Sequence, residues 1–479
     1  MKAWRLAAAV TVALSGAIAL SGAAGATTHD GKWHGHGHGH AYTCDGSSGG
    51  VIPAGFYENV VVTGVCYMPS GHITIGHDLT IAPGALLDAV TPGDPSGTKV
   101  LPASVHIGGN VWVGKGAAFL LGCSPNISCA TPNPGITFDE ISGNVTAIGA
   151  QGVVLHSVAI GGDLKVIGGG GGTAGQTCAS QMPTGPTNTA LEPWSLDPSL
   201  DFTPVYTDLE DSTVGGNYKV IGLNSCWLGT LRNWIGGDAK FIGNTFGDPD
   251  AMEVGNNLIW GDLGCWKNSP APQFGEGAAP EIVKGWAGGQ CSFDTVLQNP
   301  SAEGITAMGK TGVGISEHFV VSLHSLMKSK GTRTTTTVSS LPGYPMTTSA
   351  GDSIQAVLSD FTLTGSGLTG TANYTGGPPG QVPGDAALTT KYASGWTHGV
   401  FYDACASCTF DGQTGFFSAR YYDTQSPSGN SSGFFLVTNS GTILASSSSP
   451  VPPLATLVGW GTFTGTGSTL TLTEHLGFG

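Results

Sequence analysis

The hydrophobic and polar positions between residues 75 and 260 repeat one short phrase. Each copy has an aliphatic residue, one or two small residues, Asp or Asn, and then apolar residues at alternate positions. A representative copy is residues 160–166, with the sequence IGGDLKV. The Asp or Asn of the seven copies stands at Asp78, Asn110, Asn144, Asp163, Asn217, Asp238 and Asn257.

The spacing of these seven positions predicts a solenoid. The short intervals are 19 and 21 residues, as between Asn144 and Asp163 or Asn217 and Asp238, and the longer ones indicate a coil plus an inserted loop. A unit of about 20 residues is too short for a helix pair, and its apolar residues alternate with the period of a strand. We therefore expect an all-β fold, a single-stranded parallel β-helix over residues 44–300.

Within one predicted coil, Leu164 and Val166 point inward and Lys165 points outward. We expect the glycine pair to supply a turn with positive φ, and the neighbouring Asp or Asn to bond nearby backbone amides. Seven coils stacked at about 4.8 Å predict a rod roughly 34 Å long.

The pattern changes after residue 300. Residues 301–350 read as a connecting segment, with one short helix over residues 316–328 and a linker in the Thr/Ser-rich stretch 332–340. Residues 351–479 contain short alternating segments separated by turns, which predicts a small antiparallel β-barrel or sandwich.

Two resemblances agree with these fold predictions. Across residues 50–265, the recurring G-N-V-x-V phrase resembles secreted actinobacterial-type proteins built from polymorphic parallel β-helix repeats, a resemblance that implies no defined activity. The glycine-rich phrases at residues 415–417, 439–442 and 459–465 are similar to those of allene oxide cyclase-like barrels. That likeness implies only the barrel fold, because this fold hosts unrelated functions.

The first 26 residues have the features of a secretory signal peptide. Lys2 and Arg5 precede an apolar run, and Ala24-Gly25-Ala26 matches a cleavage pattern. No later apolar stretch is long enough for a membrane span. We expect a secreted, extracellular protein.

Export would place ten cysteines in an oxidising compartment, where an even number predicts disulfides. We favour pairing of sequence neighbours, although sequence alone does not prove connectivity. A redox role for the Cys405-Ala-Ser-Cys408 spacing is the alternative for that pair. The favoured pairs are Cys44–Cys66, Cys123–Cys129, Cys178–Cys226, Cys265–Cys291 and Cys405–Cys408.

The charge balance excludes one class of partner and suggests another. With 17 basic and 32 acidic residues, a net charge of −15, the chain is a poor candidate for binding nucleic acid. Lys165, Lys219 and Lys240 nevertheless occupy the same outward position in successive copies. They could form a strip for an anionic polysaccharide or wall polymer, and the alternative is an ordinary solvated face.

Four tryptophans cluster in the late coils: Trp227, Trp234, Trp260 and Trp266. Exposed indoles could stack on sugar rings, and Trp227 and Trp234 are the candidates for such binding. The favoured alternative is that these rings fill the rod or close its end.

Residues 27–43 form a His/Gly-rich tail that is a candidate for metal binding. After cleavage at Ala26, the amine of Thr27, the amides of Thr28 and His29 and the His29 imidazole could bind Cu(II) or Ni(II). The alternating histidines add ligands for Zn(II) as well, and a flexible polar tail is the alternative. These histidines are His34, His36, His38 and His40.

Catalysis is not expected. Asp139–Glu140 and the Asp208-Leu209-Glu210-Asp211 cluster are candidate acids, but we place them at coil entrances and loops, and Arg232 has no acidic neighbour closer in sequence than Asp238. The N-T-D, G-D-D, G-H-G and R-I-K phrases of pectin-degrading hydrolases are absent from the rod, with Gly-His-Gly only in the tail, and the chain has no H-E-x-x-H phrase and no EF-hand loop. An outward groove holding two or more carboxylates would revive the hypothesis of an enzyme.

The sequence thus favours a secreted, non-catalytic structural or binding protein with no required cofactor. A carbohydrate-active enzyme on a β-helix, and extracellular metal binding through the tail, are the two alternatives.

Overall fold

The structure is a computed structural model. It describes residues 41–47, 50–68, 71–89, 103–122, 139–170, 206–247, 251–272, 281–291, 323–337, 346–347, 353–365, 370–373, 387–391, 393–410, 412–437 and 457–478. Every regular element in this part of the chain is a strand.

The chain from Tyr42 to Gly289 is a parallel β-helix with three faces, which we name sheets A, B and C. Sheet A consists of β1 (Tyr42–Cys44), β3 (Val60–Val62), β6 (Leu79–Ile81), β9 (Val111–Val113), β12 (Val145–Ile148), β15 (Leu164–Ile167), β18 (Tyr218–Ile221), β22 (Ala239–Ile242), β26 (Leu263–Trp266) and β28 (Ala287–Gly289).

The other two faces are also wholly parallel. Sheet B consists of β4 (Val65–Tyr67), β7 (Leu86–Ala89), β10 (Ala118–Leu121), β13 (Gly152–His156), β16 (Tyr206–Glu210), β20 (Trp227–Leu231) and β24 (Met252–Gly255). Sheet C consists of β2 (Gly55–Tyr57), β5 (Gly71–Ile75), β8 (Ala103–Ile107), β11 (Asp139–Ile141), β14 (Val158–Ile160), β17 (Thr213–Val214), β21 (Trp234–Ile235), β25 (Leu258–Ile259) and β27 (Ile282–Val283). The short strands β19 (Asn224–Ser225) and β23 (Thr245–Phe246) pair at one corner.

Sheet A contains ten strands, so the rod has three rungs more than the seven repeat copies predict. The terminal rungs were missed because they lack the full phrase. Ala41 in the first rung and Trp286 in the last stand where the eight rungs between them have Asp or Asn. Asn257 was also assigned to the wrong corner, since it lies between β24 and β25, and Asp262 is the equivalent of Asp238.

The rod interior follows the predicted alternation. Leu164 and Val166 are buried, and Lys165 between them faces out. The core is mainly aliphatic, with Tyr218 and Phe241 in edge-to-face contact at ring centroids 5.5 Å apart. Each inward side chain stacks on the inward side chain at the equivalent position of the next rung. This stacking gives a continuous core along the rod.

The corner between sheets C and A is held by a ladder of side-chain hydrogen bonds between coils. The oxygen Oδ1 of each Asp or Asn accepts a hydrogen bond from the backbone amide of its counterpart in the next coil, at 2.7–3.1 Å. The acceptors are Asn59, Asp78, Asn110, Asn144, Asp163, Asn217, Asp238 and Asp262. The predicted bonds to backbone amides are therefore present, and the amides belong to the next coil, so these oxygens join consecutive coils.

The glycine pairs at the same corner also act between coils. Gly215 and Gly216 do not have positive φ, contrary to the prediction. A Cβ on Gly215 would collide with the carbonyl oxygen of Gly161, and one on Gly216 with Oδ1 of Asp163. The positive φ that only glycine adopts readily occurs instead after the sheet A strands, as at Gly222.

The corner between sheets B and C repeats a left-handed residue that is not glycine. Ser157, Asp211, Arg232 and Asn256 have φ between 50° and 58° in four successive coils. The following residues form a second ladder, in which the amides of Ser212, Asn233 and Asn257 bond to side-chain oxygens of Asn233, Asn257 and Glu281, respectively. This buried ladder satisfies backbone donors where the chain turns.

Two of the predicted disulfides are present, one at each end of the rod. Cys44 and Cys66 are bonded near the first rung, and Cys265 and Cys291 near the last. Cys226 and Cys408 are also disulfide-bonded. The Cys123–Cys129 pair, Cys178 and the side chain of Cys405 lie outside the described part of the structure.

Residues 323–478 form an antiparallel sheet of ten strands that closes into a barrel, because β29 pairs with both β31 and β38. The strands are β29 (Leu323–Thr337), β30 (Met346–Thr347), β31 (Ser353–Gly365), β32 (Gly370–Asn373), β33 (Ala387–Lys391), β34 (Thr397–Phe410), β35 (Gln413–Gln425), β36 (Asn430–Val437), β37 (Leu457–Thr466) and β38 (Thr469–Phe478).

Strand β29 corrects two predictions. The helix expected at residues 316–328 and the linker expected at residues 332–340 overlap this 15-residue strand. The Thr-rich sequence has a high β propensity, and its hydrogen bonds go to strands far away in sequence.

The barrel packs against the outer face of sheet C. Trp234 is only 5% exposed, and its ring centroid lies 4.0 Å from that of Phe434 and 5.9 Å from that of Trp460. Lys284 Nζ lies 5.6 Å from the ring centroids of both Trp260 and Trp460. Sheet C thus has one face in the rod core, and the other face lies under the barrel at β21, β25 and β27.

Candidate binding face and buried ionic cluster

The lysine column predicted from the sequence lies on the outer face of sheet A. Lys165, Lys219 and Lys240 are direct partners on adjacent strands. The column continues on one side to Thr146 and Trp112 and on the other to Gly264 and Gly288. We call this surface, together with the residues two positions further along the strands, the sheet A face.

Two of the three lysines are neutralised by their own coil. Lys165 Nζ lies 2.9 Å from Asp163 Oδ2, and Lys240 Nζ lies 2.7 Å from Asp238 Oδ2. Lys219 follows Asn217, which carries no charge. The five ionisable groups, three lysines and two aspartates, therefore give this part of the sheet A face a net charge of only +1.

The ladder lowers the pKa of both aspartates. For Asp238, the hydrogen bond from the Asp262 amide has the largest effect, and the bond from Lys240 adds to it. For Asp163, partial burial alone would raise the pKa, but hydrogen bonds from Asn217 and Lys165 outweigh it. These carboxylates are thus engaged twice, by the next coil and by a lysine.

Several other side chains on or over the sheet A face are apolar and exposed. Trp112 is 49% exposed, and Ile148 and Ile167 are exposed on adjacent strands. Near the C-terminal end, the indole of Trp266 covers Gly264 and that of Trp286 covers Gly288, with Trp286 55% exposed. Exposed apolar surface with indoles at both ends and lysines between them is typical of a binding surface.

Trp227 and Trp234, the two tryptophans singled out from the sequence, lie on other faces. Trp227 is half-buried on the outside of sheet B, where it contacts Tyr206 at a centroid distance of 5.8 Å. Trp234 is covered by the barrel. Neither ring fills the rod interior, so the favoured prediction of core filling is wrong for both.

A cluster of ionisable side chains occupies the outer face of sheet B and the adjacent corner. His156 and Glu210 are partners on adjacent strands, and Asp208 precedes Glu210 by two residues on the same face. His156 Nε2 lies 2.7 Å from Asp208 Oδ2. All three side chains are buried, with at most 6% of each residue exposed.

Two arginines connect this cluster to the barrel. Arg232 Nε lies 2.9 Å from Asp211 Oδ1, and Arg232 Nη2 also bonds Glu210. Arg420 of the barrel is completely buried, lies 3.2 Å from Asp211 and stacks 4.8 Å from the Tyr422 ring. Tyr422 donates a hydrogen bond to the Asp211 carbonyl. The ion pairs therefore bridge the rod and the barrel.

Burial dominates the protonation of the cluster. It raises the pKa of Glu210 to about 8, and nearby Asp208 adds to the shift while Arg232 opposes it. Burial lowers the pKa of His156, partly offset by Glu210 and Asp211. Removing water disfavours the charged form of either group, so fewer charges persist than the residue types suggest.

The Asp208–Asp211 stretch departs from the sequence-based placement. Asp208 and Glu210 are on strand β16, with only Asp211 in a turn. The carboxylates of Asp208 and Glu210 therefore lie on the same outward face of sheet B, but both are buried. Of the other candidate acids, Asp139 accepts a bond from the Val105 amide, and Glu140 lies 3.3 Å from His106.

The pairing of Arg232 was missed because it was sought among sequence neighbours. Arg232 contacts Asp211, 21 residues earlier, and Glu210, 22 residues earlier. This separation is one coil of the repeat. Counting back by one repeat length, instead of along the chain, would have identified both partners.

The predicted metal ligands of the tail lie outside the described residues. These are Thr27, Thr28, His29, His34, His36, His38 and His40. The described residues contain no helix that is both long and apolar enough to cross a membrane.

Comparison of the chain with protein-family models, with curated proteins and with solved structures finds no match. The functional argument therefore depends on the geometry of the chain itself.

Proposed function

We propose that this chain is a secreted binding protein whose sheet A face holds an extended extracellular polysaccharide. The observation that carries the proposal is the outward column from Trp112 through Lys219 to Gly264, with one residue per rung. Trp112 is exposed, the lysines are half-buried, and the indole of Trp266 covers Gly264. Five rungs of about 4.8 Å separate the ends of this column, which gives a site about 24 Å long. A linear polymer suits such a narrow, regular surface.

The composition of the face favours sugar over lipid or nucleic acid. Indoles at Trp112 and Trp286 offer flat apolar surfaces for sugar rings, and the lysines between them donate hydrogen bonds. A net charge of +1 on the lysine segment allows an occasional carboxylate and gives little attraction for a polyanion. We expect aromatic stacking to supply most of the affinity and Lys219 to add preference for uronates.

Secretion is part of this proposal. The signal-like residues 1–26 support it, and the disulfides Cys44–Cys66 and Cys265–Cys291 fit an oxidising compartment. A rod closed by disulfides at both ends would present a rigid surface to a polymer outside the cell.

Affinity electrophoresis of the purified full chain in gels containing hydroxyethyl cellulose or polygalacturonate tests the proposal. We expect Trp112→Ala to weaken binding to both polymers about tenfold. Lys219→Ala should weaken only the binding to polygalacturonate, by an amount that declines as salt is added.

Matched controls are available in the barrel. Trp396→Ala removes an indole that is 43% exposed, and Lys391→Ala removes an exposed lysine. Both should bind like the unmodified chain. Equal losses in Trp112→Ala and Trp396→Ala, or no retardation by either polymer, would refute the proposed binding face.

A carbohydrate-active enzyme is the second candidate, favoured by Asp208 and Glu210 on one outward face. Because both carboxylates are buried, turnover would require them to become accessible to a substrate. Incubation with the same polymers distinguishes the two candidates. New reducing ends or unsaturated uronate absorbance would support the enzyme, and retardation without either product would support the binding protein.

A further inference from the structure

His156, Asp208 and Glu210 have the arrangement of a metal site on the outer face of sheet B. One nitrogen of His156 and one oxygen from each carboxylate all lie within 4.8 Å of one another. The three side chains come from the adjacent strands β13 and β16, whose register is fixed by the ladder of the rod. They are therefore held on rigid elements, as ligands of a bound ion generally are.

One ring nitrogen of His156 is not used in a hydrogen bond among the described residues. His156 Nε2 contacts Asp208, but His156 Nδ1 has no hydrogen-bond partner among the described residues although it is buried. A buried polar atom without a partner is costly, and structures usually satisfy such atoms. A ligand at the cluster would let the imidazole reorganise so that one nitrogen binds and the other is satisfied.

The local charge favours a cation. Asp208, Glu210 and Asp211 contribute three negative charges when ionised, and Arg232 and Arg420 contribute two positive charges. Burial favours the protonated form of Glu210, and when a cation displaces that proton the set carries one excess negative charge in a site shielded from water. Arg232, which bonds both Glu210 and Asp211, acts as a positioning residue that orients Glu210.

The ligand set identifies the class of ion. One imidazole nitrogen and two carboxylate oxygens are the donors of zinc sites, which bind at about 2.0–2.2 Å in tetrahedral geometry. Ligand atoms around such an ion lie roughly 3.3 Å apart. The Nε2–Oδ2 distance of 2.7 Å must lengthen slightly, and because all three ligand atoms lie within 4.8 Å of one another, no separation must shorten by more than about 1.5 Å.

We propose that His156, Asp208 and Glu210 bind one divalent transition-metal ion, with Zn²⁺ as the expected ion, at the junction of the rod and the barrel. Because Asp211 beside this site bonds Arg420, the ion would stabilise the same region through which the two parts of the chain are joined. The site uses none of the tail histidines, which are the sequence-based candidates for metal binding.

The test uses the full chain with His29, His34, His36, His38 and His40 replaced by Ala, so that the tail does not compete. After removal of metal by a chelator, this protein is titrated with Zn²⁺ against a chromophoric competitor. We expect one equivalent to bind, with affinity lowered at least tenfold in Asp208→Asn and in His156→Gln.

Asp88→Asn is a matched control. Asp88 is a buried carboxylate in the same outward column as Asp208, three rungs earlier and about 14 Å away. This variant should bind Zn²⁺ like the parent. The proposal is wrong if the parent binds no Zn²⁺, or if Asp88→Asn and Asp208→Asn lose the same affinity.

A measurement on the chain with unaltered site residues guards against misfolded variants. X-ray absorption of the Zn²⁺-loaded protein, again with the five tail histidines replaced, should give one imidazole and otherwise oxygen ligands. Two or more imidazoles per zinc would place the ion elsewhere and overturn the proposal.

Discussion

The outer faces of sheets A and C come from the same coils, yet they have opposite surroundings. On sheet A, Trp112 and Ile148 are exposed and three lysines stand in register. On sheet C, the equivalent column of Trp234, Leu258 and Ile282 is buried under the barrel. Both faces alternate with period two, so alternation separates inward from outward residues and does not determine what the outward residues contact.

This difference shows how a regular rod acquires distinct surfaces. The interior and the corner ladders repeat from coil to coil, whereas each outer face is free to vary. One face takes a second domain, and another retains exposed aromatic and basic groups. The effects of substitutions on the two faces should therefore differ in their physical cause as well as in their size.

The largest effect is expected where the barrel meets the rod. Arg420→Ala removes a completely buried guanidinium and with it the ion pair that joins Asp211 to the barrel, while the ion pair of Asp211 with Arg232 remains. Breaking one side of a buried ion pair costs about 3–5 kcal/mol. Urea unfolding followed by tryptophan fluorescence measures the loss, with the exposed Lys391→Ala as control. A loss below about 1 kcal/mol would contradict a structural role for this contact.

The next prediction separates the two uses of glycine at the corners. Gly216→Ala places a Cβ against Oδ1 of Asp163 and the backbone of Gly162, so we expect a cost of about 2–3 kcal/mol. Gly222→Ala meets open space but must adopt φ of +64°, which costs about 1 kcal/mol. Chemical denaturation of both variants gives the comparison. Equal losses would mean that contact between coils is not the constraint on Gly216.

The stability contributed by a group on the covered side should also depend on pH differently from that contributed by groups on the sheet A face. Glu281 ends the buried ladder, and burial raises its pKa to about 8, partly opposed by hydrogen bonds from Asn257. The folded state then holds a proton that the unfolded chain releases, so this group lowers stability as pH rises from about 4.5 to 8. The lowered pKa values of Asp163 and Asp238 have the opposite effect, because the stability that these carboxylates contribute is lost as pH falls.

Glu281→Gln keeps the acceptor oxygen and removes the charge. We expect it to be more stable than the parent by on the order of 2 kcal/mol at pH 8 and to differ little near pH 4.5. Thermal unfolding across this range measures the difference, and Asp238→Asn on the sheet A face is the contrasting variant. A Glu281→Gln curve parallel to that of the parent would exclude the titration of Glu281 as a cause.

The smallest effect is expected on the sheet A face. Lys219→Thr relieves repulsion from Lys165 and Lys240 and introduces the residue type found at Thr146 in the same column. We expect a gain of no more than about 0.5 kcal/mol, which high salt should abolish. Lys165→Thr is the control, because it also removes the ion pair with Asp163. A gain that persists in high salt would point to packing instead of charge.

The sequence predicted the features that depend on one coil alone. The parallel rod, the inward Leu164 and Val166 and the outward lysines all follow from alternation and repeat length. The corners were misassigned because their contacts join coils: Asp163 bonds Asn217, which is 54 residues away. Such contacts cannot be predicted from the neighbouring residues in the sequence unless the register of the coils is already known.

The same limit applies to the candidate sites. The lysine column needed only equal positions in successive copies, and it was found. The buried cluster of Asp208, Glu210, Arg232 and Arg420 needed both the coil register and the position of the barrel. Nothing in the local sequence around Arg420 indicates that it reaches Asp211, 209 residues earlier.

The ladder at the corner between sheets C and A determines where this chain could gain new segments. From Ile75 to Ala287, three residues join the strands at that corner in every coil. The long stretches 90–102, 123–138 and 171–205 all connect strands at other corners. Foreign loops should therefore be tolerated when grafted at those three stretches, whereas a single residue added between Ile160 and Leu164 would displace the amide that Asn144 binds and split the column at that level.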